Sequence, residues 1–203
     1  MDNIEKELEA GRAVILPTET VYGIFAKALD QEAVDYIYEL KRRPRDKALN
    51  LNVADEKTIR IYSKNQPSYL TKLIHSFLPG PLTIILQANE KVPNWIHSGL
   101  DTVGFRIPAH PKTLELIRKY GPLVGPSANL SGHASGTKYR AIVSEFDQVV
   151  PGIEDDDFLT GQDSTILDIS SSKSRILRQG SITKADLLAQ VPELSFEEDE
   201  LPQ

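Results

Sequence analysis

Pro79-Gly80-Pro81 is the sharpest punctuation in this chain, and the segments on either side of it restrict the fold most. Before it, Leu70, Leu73, Ile74 and Phe77 fall at i, i+3, i+4 and i+7, the apolar face of a helix. The two prolines and the glycine break that helix. After them, Leu82-Thr83-Ile84-Ile85-Leu86 reads as a buried strand. The same alternation runs the length of the chain. A short helix at Ile4–Glu9 stops at Gly11, and an apolar strand follows at Ala13–Leu16. Asp30 caps a helix to about Lys41, which ends because Arg43 precedes Pro44. Leu49, Leu51 and Val53 alternate as a strand, as do Val103, Phe105 and Ile107. Pro111–Tyr120 is a helix closed by Gly121. A small, polar loop spans Gly125–Thr137, followed by a helix over Lys138–Phe146 and strands near Val149, Thr165–Ile169 and Arg175–Leu177. Thr183 and Asp186 form a capping box that opens the last helix. Interleaved helices and strands, with hairpin-like strand pairs late in the chain, give an α/β protein with a mixed sheet.

With 203 residues, 40% of them hydrophobic, the chain can bury one sizeable core, and no linker or internal repeat divides it. Cysteine is absent, which removes disulfides, thiolate metal sites and cysteine nucleophiles. No apolar run approaches the roughly 20 residues that cross a bilayer. The N-terminus lacks the basic-then-apolar layout of an export signal, so a cytoplasmic location is expected.

The net charge of −6 is unevenly placed. Glu193 to Gln203 carries five acidic residues and no basic one, so a folded body is expected over 1–190 with a flexible, solvating acidic tail over 191–203. Lys41-Arg42-Arg43-Pro44-Arg45-Asp46-Lys47 sums to +4, while Glu154 to Asp157 sums to −4. A nearly neutral body with one dense basic cluster suits a small anionic ligand better than an extended nucleic-acid track.

Polar segments beside the strands carry the remaining chemistry. They are Pro17-Thr18-Glu19-Thr20-Val21-Tyr22-Gly23, the basic cluster, Arg106, Gly125-Pro126-Ser127-Ala128-Asn129-Leu130-Ser131-Gly132, Asp163-Ser164-Thr165 and Leu177-Arg178-Gln179-Gly180. Thr18 and Thr20 read equally as turn hydroxyls bonded to their own backbone. Arg106, on an otherwise apolar strand, needs an anion, either a carboxylate of the protein or a ligand. Guanidinium and ammonium groups, hydroxyls and one carboxamide together suit a ligand bearing phosphates and a carboxylate. No P-loop, dinucleotide glycine fingerprint or metal-spaced histidine pair is present among the motifs. What is left is catalysis by positioning and charge stabilisation, as in phosphoryl and nucleotidyl transfer.

Six ordered motifs resemble the YrdC family, the threonylcarbamoyl-AMP synthases, over about residues 5 to 190. They are the Pro17–Gly23 segment, Lys41-x-Arg43-Pro44-x-Asp46-Lys47, Pro79-Gly80-Pro81-Leu82-Thr83, Arg106-Ile107-Pro108-x-His110-Pro111, Pro126-Ser127-Ala128-Asn129-x-Ser131-Gly132 and Ser164-Thr165-Ile166. The resemblance implies an open, twisted sheet with flanking helices around a concave basic cavity, in the short single-domain form. It implies a reaction of L-threonine, bicarbonate or CO2, and ATP to give threonylcarbamoyl-adenylate and pyrophosphate, for a later transfer to tRNA by a separate complex. By family position, Lys41, Arg43 and Lys47 are expected along the triphosphate, Lys41 and Arg43 as the catalytic cations. Thr102, Asn129, Thr137 and Arg178 complete the expected nucleotide site.

Thr20, Asn52, Arg106, Ser127 and Ser164 are expected to hold threonine, with Arg106 on its carboxylate. Magnesium arrives bridging the phosphates of ATP, and no metal held by the protein alone is expected. Two positions depart from the commoner family pattern: Asn52 stands where many relatives have histidine, and Gln179 where they have proline. The alternative reading is a double-stranded RNA or tRNA binder using the same cations. A third is a maturation factor acting on another protein.

Overall fold

The computed structural model describes residues 2–197. Helix α1 (Asp2–Glu9) leads into strands β1 (Val14–Leu16) and β2 (Gly23–Lys27), then helix α2 (Gln31–Leu40). Asp30 caps α2 by accepting from the Ala33 amide, as its position predicts. Strand β3 (Leu51–Asn52), helix α3 (Glu56–Tyr62), strand β4 (Ser63–Lys64) and helix α4 (Leu70–Phe77) follow. Next come β5 (Leu82–Ala88), α5 (Asn94–His97), β6 (Thr102–Arg106), α6 (Pro111–Tyr120) and β7 (Leu123–Val124). The last elements are α7 (Tyr139–Val143), β8 (Thr165–Asp168), β9 (Arg175–Arg178) and α8 (Lys184–Gln190), opened by the Thr183–Asp186 capping box. No helix among the described residues is long and apolar enough to cross a membrane.

The strands form one mixed, open sheet in the order β1-β2-β7-β3-β6-β5-β8-β9, with β4 on the far end of β5. The pairs β3–β6 and β5–β8 are parallel and the others antiparallel. Its two faces bury separate apolar sets. Ile15, Ile24 and Ala26 join Val34, Ile37, Leu51, Ile84 and Phe105 on one side. Val14, Leu16 and Phe25 join Ile4, Leu8, Leu116 and Ile117 on the other. A strand apolar on both faces shows no alternation, which is why β2 carries no period-2 signal in the sequence.

Two expected elements differ. The strand expected near Val149 is absent, and Val149 is 96% exposed. Pairing comes slightly later, where Ile15 bridges Gly152 and its amide donates to the Pro151 carbonyl. Pro151 has no amide to return, so the contact does not extend into a strand. The helix expected over Lys138–Phe146 is shorter, running Tyr139–Val143, with Phe146 buried beyond it.

The first residues of the expected tail belong to the body: Val191 and Leu194 are buried, and Phe196 bridges Ser174 beside β9. Their apolar side chains anchor the segment despite the acidic residues around them. Residues 198–203 of the acidic run lie outside the described residues.

After β9 the chain turns back onto the start of β8, and the approach is close. A Cβ on Gly180 would stand 2.3 Å from the Asp163 carbonyl oxygen and 2.4 Å from the Thr165 amide nitrogen. Both obstacles are backbone, so neither can step aside as a side chain would. Gly180→Ala is therefore expected to destabilise the protein by about 1–3 kcal/mol. Urea unfolding checks this, and an unchanged midpoint would mean the two segments are not packed as described.

Candidate functional site

The pairing register lays a row of side chains across five strands. Asn52 on β3 pairs with Arg106 on β6. Ile84 pairs with Phe105, which sets Thr83 on β5 opposite Arg106. Thr83 then pairs with Ile166 on β8, and Ile166 with Arg178 on β9. All five residues line one cavity of about 260 Å³. With strands about 4.8 Å apart, Arg106 and Arg178 are rooted roughly 14 Å from each other, at two sides of the same hollow.

Loops close the other walls. Thr18, Val21 and Tyr22 come from the β1–β2 connection, Gly125, Pro126 and Ser127 from the segment after β7, and Arg43 and Ala48 from the basic loop after α2. Gly125 is required where it stands: a Cβ there would lie 2.4 Å from the Phe25 ring and 2.7 Å from Asn52 Nδ2. Gly104 serves Asn50 in the same way, since its missing side chain leaves room for the Asn50 amide.

Each arginine is held by different partners. Arg106 Nη2 donates to Glu19 Oε1 at 2.6 Å and to Thr20 Oγ1 at 2.7 Å, while its buried Nε has no partner. Arg43 donates to the carbonyls of Lys47 (3.2 Å) and Ala48 (2.9 Å). Burial, more than any neighbour, lowers the Arg43 pKa from its ordinary value. Arg178 donates through Nε to the Ser164 carbonyl and through Nη2 to Ser164 Oγ, both at 3.0 Å. Ser164 Oγ also lies 3.0 Å from Thr83 Oγ1. Two of the three guanidinium groups are thus fixed by neutral oxygens, and the wall keeps a positive excess.

Of the residues expected from sequence, Arg43, Asn52, Arg106, Ser127, Ser164 and Arg178 stand in the wall. Thr20 is buried just behind it, holding Arg106. Lys41 and Asn129 are one layer deeper. Lys41 is 1% exposed, and its Nζ donates to the carbonyls of Ser127 and Asn129. Its side chain fixes the 127–129 loop and does not line the cavity.

Asn129 Nδ2 donates to the Leu130 and His133 carbonyls, which leaves Oδ1 buried without a partner. The other three expected residues stand outside the wall as well. Thr102 begins β6 opposite Gln87, at the other end of that strand from Arg106. Lys47 is exposed, and its carbonyl, not its ammonium, serves Arg43. Thr137 is half-buried beside Gly161. Asn50, Thr83, Tyr22 and Asp163 line the cavity without having been assigned a role from sequence. Their signal was proximity, since each lies within or beside a motif already singled out.

The Sua5/YciO/YrdC family model, described as telomere recombination, matches residues 6–180. The chain belongs to the Sua5/YciO/YrdC family. A threonylcarbamoyl-AMP synthase of Pyrococcus abyssi is 38% identical over 177 residues, covering 86% of this chain and 52% of that protein. One from Vibrio parahaemolyticus is 32% identical over 188 residues, covering 89% of this chain and 100% of that protein. The solved structure of P. abyssi Sua5 complexed with L-threonine superposes with a TM-score of 0.87 at 36% identity, over 95% of this chain and 57% of that one. This chain therefore spans about half the length of the first curated relatives it matches. Its open α/β sheet with flanking helices is that of the Sua5/YciO/YrdC structures.

Burial, and next the Arg43 charge, push the Lys41 ammonium down to about 7. The unfolded chain holds that proton up to about 10.4, so between these values it binds more protons than the folded state and stability rises with pH. The stability difference between wild type and Lys41→Met is expected to move in favour of wild type from pH 7 to pH 10. Urea unfolding at several pH values checks this, and a flat difference would contradict the burial of Lys41.

Proposed function

We propose that this chain joins L-threonine, bicarbonate or CO2, and ATP into threonylcarbamoyl-adenylate, releasing pyrophosphate. The observation that carries the reading is the single cavity into which Arg43, Arg106 and Arg178 converge. The reaction assembles a triphosphate, a carboxylate and a carbamate in one place, and fixed guanidinium groups offset that charge without reorganising. The names of the family relatives and the threonine complex of P. abyssi Sua5 support the same reading.

In this account the threonine nitrogen bonds to the carbon of CO2, giving a carbamate. A carbamate oxygen then attacks the α-phosphorus in line, and the bond to the bridging oxygen of pyrophosphate breaks. Arg106, held by Glu19 and Thr20, takes the threonine carboxylate, and Asn52, Ser127 and Thr83 offer neutral polar contacts to the same substrate. Arg43 and Arg178 lie along the phosphates. Lys41 acts from behind by setting the Ser127–Asn129 loop.

Magnesium supplies charge neutralisation to the phosphates of ATP. The wall around them offers mainly neutral oxygens, such as the hydroxyls of Thr18 and Ser127, which suit an ion that keeps its own waters. The adenylate is then consumed by a separate transfer to tRNA. The arginines face into a hollow and form no track along the surface, which favours this reading over duplex RNA binding.

Incubation with each substrate omitted in turn, followed by mass spectrometry, tests the proposal. Threonylcarbamoyl-adenylate should form only when all three are present. Arg43→Ala should raise the KM for ATP about tenfold with a smaller effect on threonine, and Arg106→Ala should do the reverse. Pyrophosphate release that ignores threonine and bicarbonate would overturn the reading.

A further inference from the structure

Among the described residues, Asp163 is the one carboxylate in the cavity wall. Glu19 stands close by, but Arg106 and the Ala109 amide occupy both its oxygens, at 2.6 and 2.9 Å. Asp163 is engaged only weakly. Ser135 Oγ donates to it at 3.3 and 3.5 Å, and Arg178 Nη1 is 3.9 Å from Oδ2. A carboxylate accepts at about four lone-pair sites, so most of its capacity is open to a ligand. Its backbone is fixed on one side by Gly180, packed against its carbonyl, and on the other by Ser164, which anchors Arg178.

A negative charge in a hollow built for phosphates opposes their binding unless a cation belongs beside it. The reaction proposed above, on which this inference rests, has one such reactant: threonine enters with its nitrogen as an ammonium. We propose that Asp163 is a catalytic residue that binds the threonine ammonium and takes its protons as the carbamate forms. The nitrogen must lose two protons in becoming R–NH–COO⁻. Asp163 accepts the first, which frees the lone pair, and releases it to water. The lone pair then forms the N–C bond, one C=O electron pair of CO2 moves onto oxygen, and the second N–H proton leaves by the same carboxylate. Arg106 on the carboxylate and Asp163 on the nitrogen fix the amino acid at both ends. A 2-hydroxy acid of the same shape offers Asp163 no charge.

The magnesium that travels with ATP is the other cation present, and a suitable pair of ligands separates the two. Calorimetric titration of the full chain, wild type and Asp163→Asn, compares threonine with 2,3-dihydroxybutanoate, which carries hydroxyl in place of the ammonium. Wild type is expected to prefer threonine about tenfold or more, and Asp163→Asn to lose that preference by weakening threonine alone. ATP affinity should stay level or tighten in the variant, with its magnesium dependence unchanged.

Asp163→Glu should restore part of the preference, and thermal melts confirm that both variants fold. An undiminished preference in Asp163→Asn would overturn the proposal. So would parallel weakening of threonine and ATP, which would make Asp163 a seat for Arg178, or an altered magnesium dependence, which would make it a metal ligand. If wild type forms no adenylate from threonine, the proposed reaction itself fails, whereas failure of Asp163 alone leaves product formation intact and changes only the variants.

Discussion

Three guanidinium groups around one small hollow repel each other, and the rest of this structure answers that constraint. Arg43 and Arg178 are held by carbonyl and hydroxyl oxygens, which orient a cation without cancelling it. Arg106 is the one given a counter-charge at hydrogen-bond distance, in Glu19 at 2.6 Å. That gradation keeps the folded protein stable while leaving positive potential where an anion would enter. Burying all three with carboxylate partners would have closed the site electrostatically. Burying them with none would have left charge unpaired in a low dielectric.

Lys41 extends the same logic one layer down. An ammonium this deep, beside Arg43, is driven toward its neutral form. A neutral amine still has two N–H groups, and two backbone carbonyls, of Ser127 and Asn129, receive them. The residue that looked like a phosphate ligand in the sequence therefore works as a brace for the loop that carries Ser127. The basic cluster is divided by depth: Lys41 braces, Arg43 lines the wall, and Arg42, Arg45 and Lys47 face solvent.

The elements with one apolar face were legible in the sequence. Helices α4 and α6 begin and end where their spacing and their Pro and Gly boundaries place them. Strand β2 was not, because it is buried on both faces, and α3 and α5 were not, because each is too short to build a clear period. For the site, the motifs contain most of the residues that line the cavity, yet the row Asn52–Arg106–Thr83–Ile166–Arg178 is a product of strand register. Register joins residues up to 126 positions apart and leaves no local trace in the chain. Thr102 shows the converse. It shares a strand with Arg106, but it stands at the other end of that strand, outside the cavity wall.

Six of the residues expected from the family resemblance line the one cavity, and six lie behind it or elsewhere. The proposed function requires that anions of two kinds meet between the three arginines. A crystal structure of the full chain with threonine and an ATP analogue blocked at the α,β bridge tests it most directly. Phosphate oxygens are expected on Arg43 and Arg178 and the threonine carboxylate on Arg106, all inside the one cavity. Phosphates bound elsewhere, with the three guanidinium groups touching neither ligand, would contradict it.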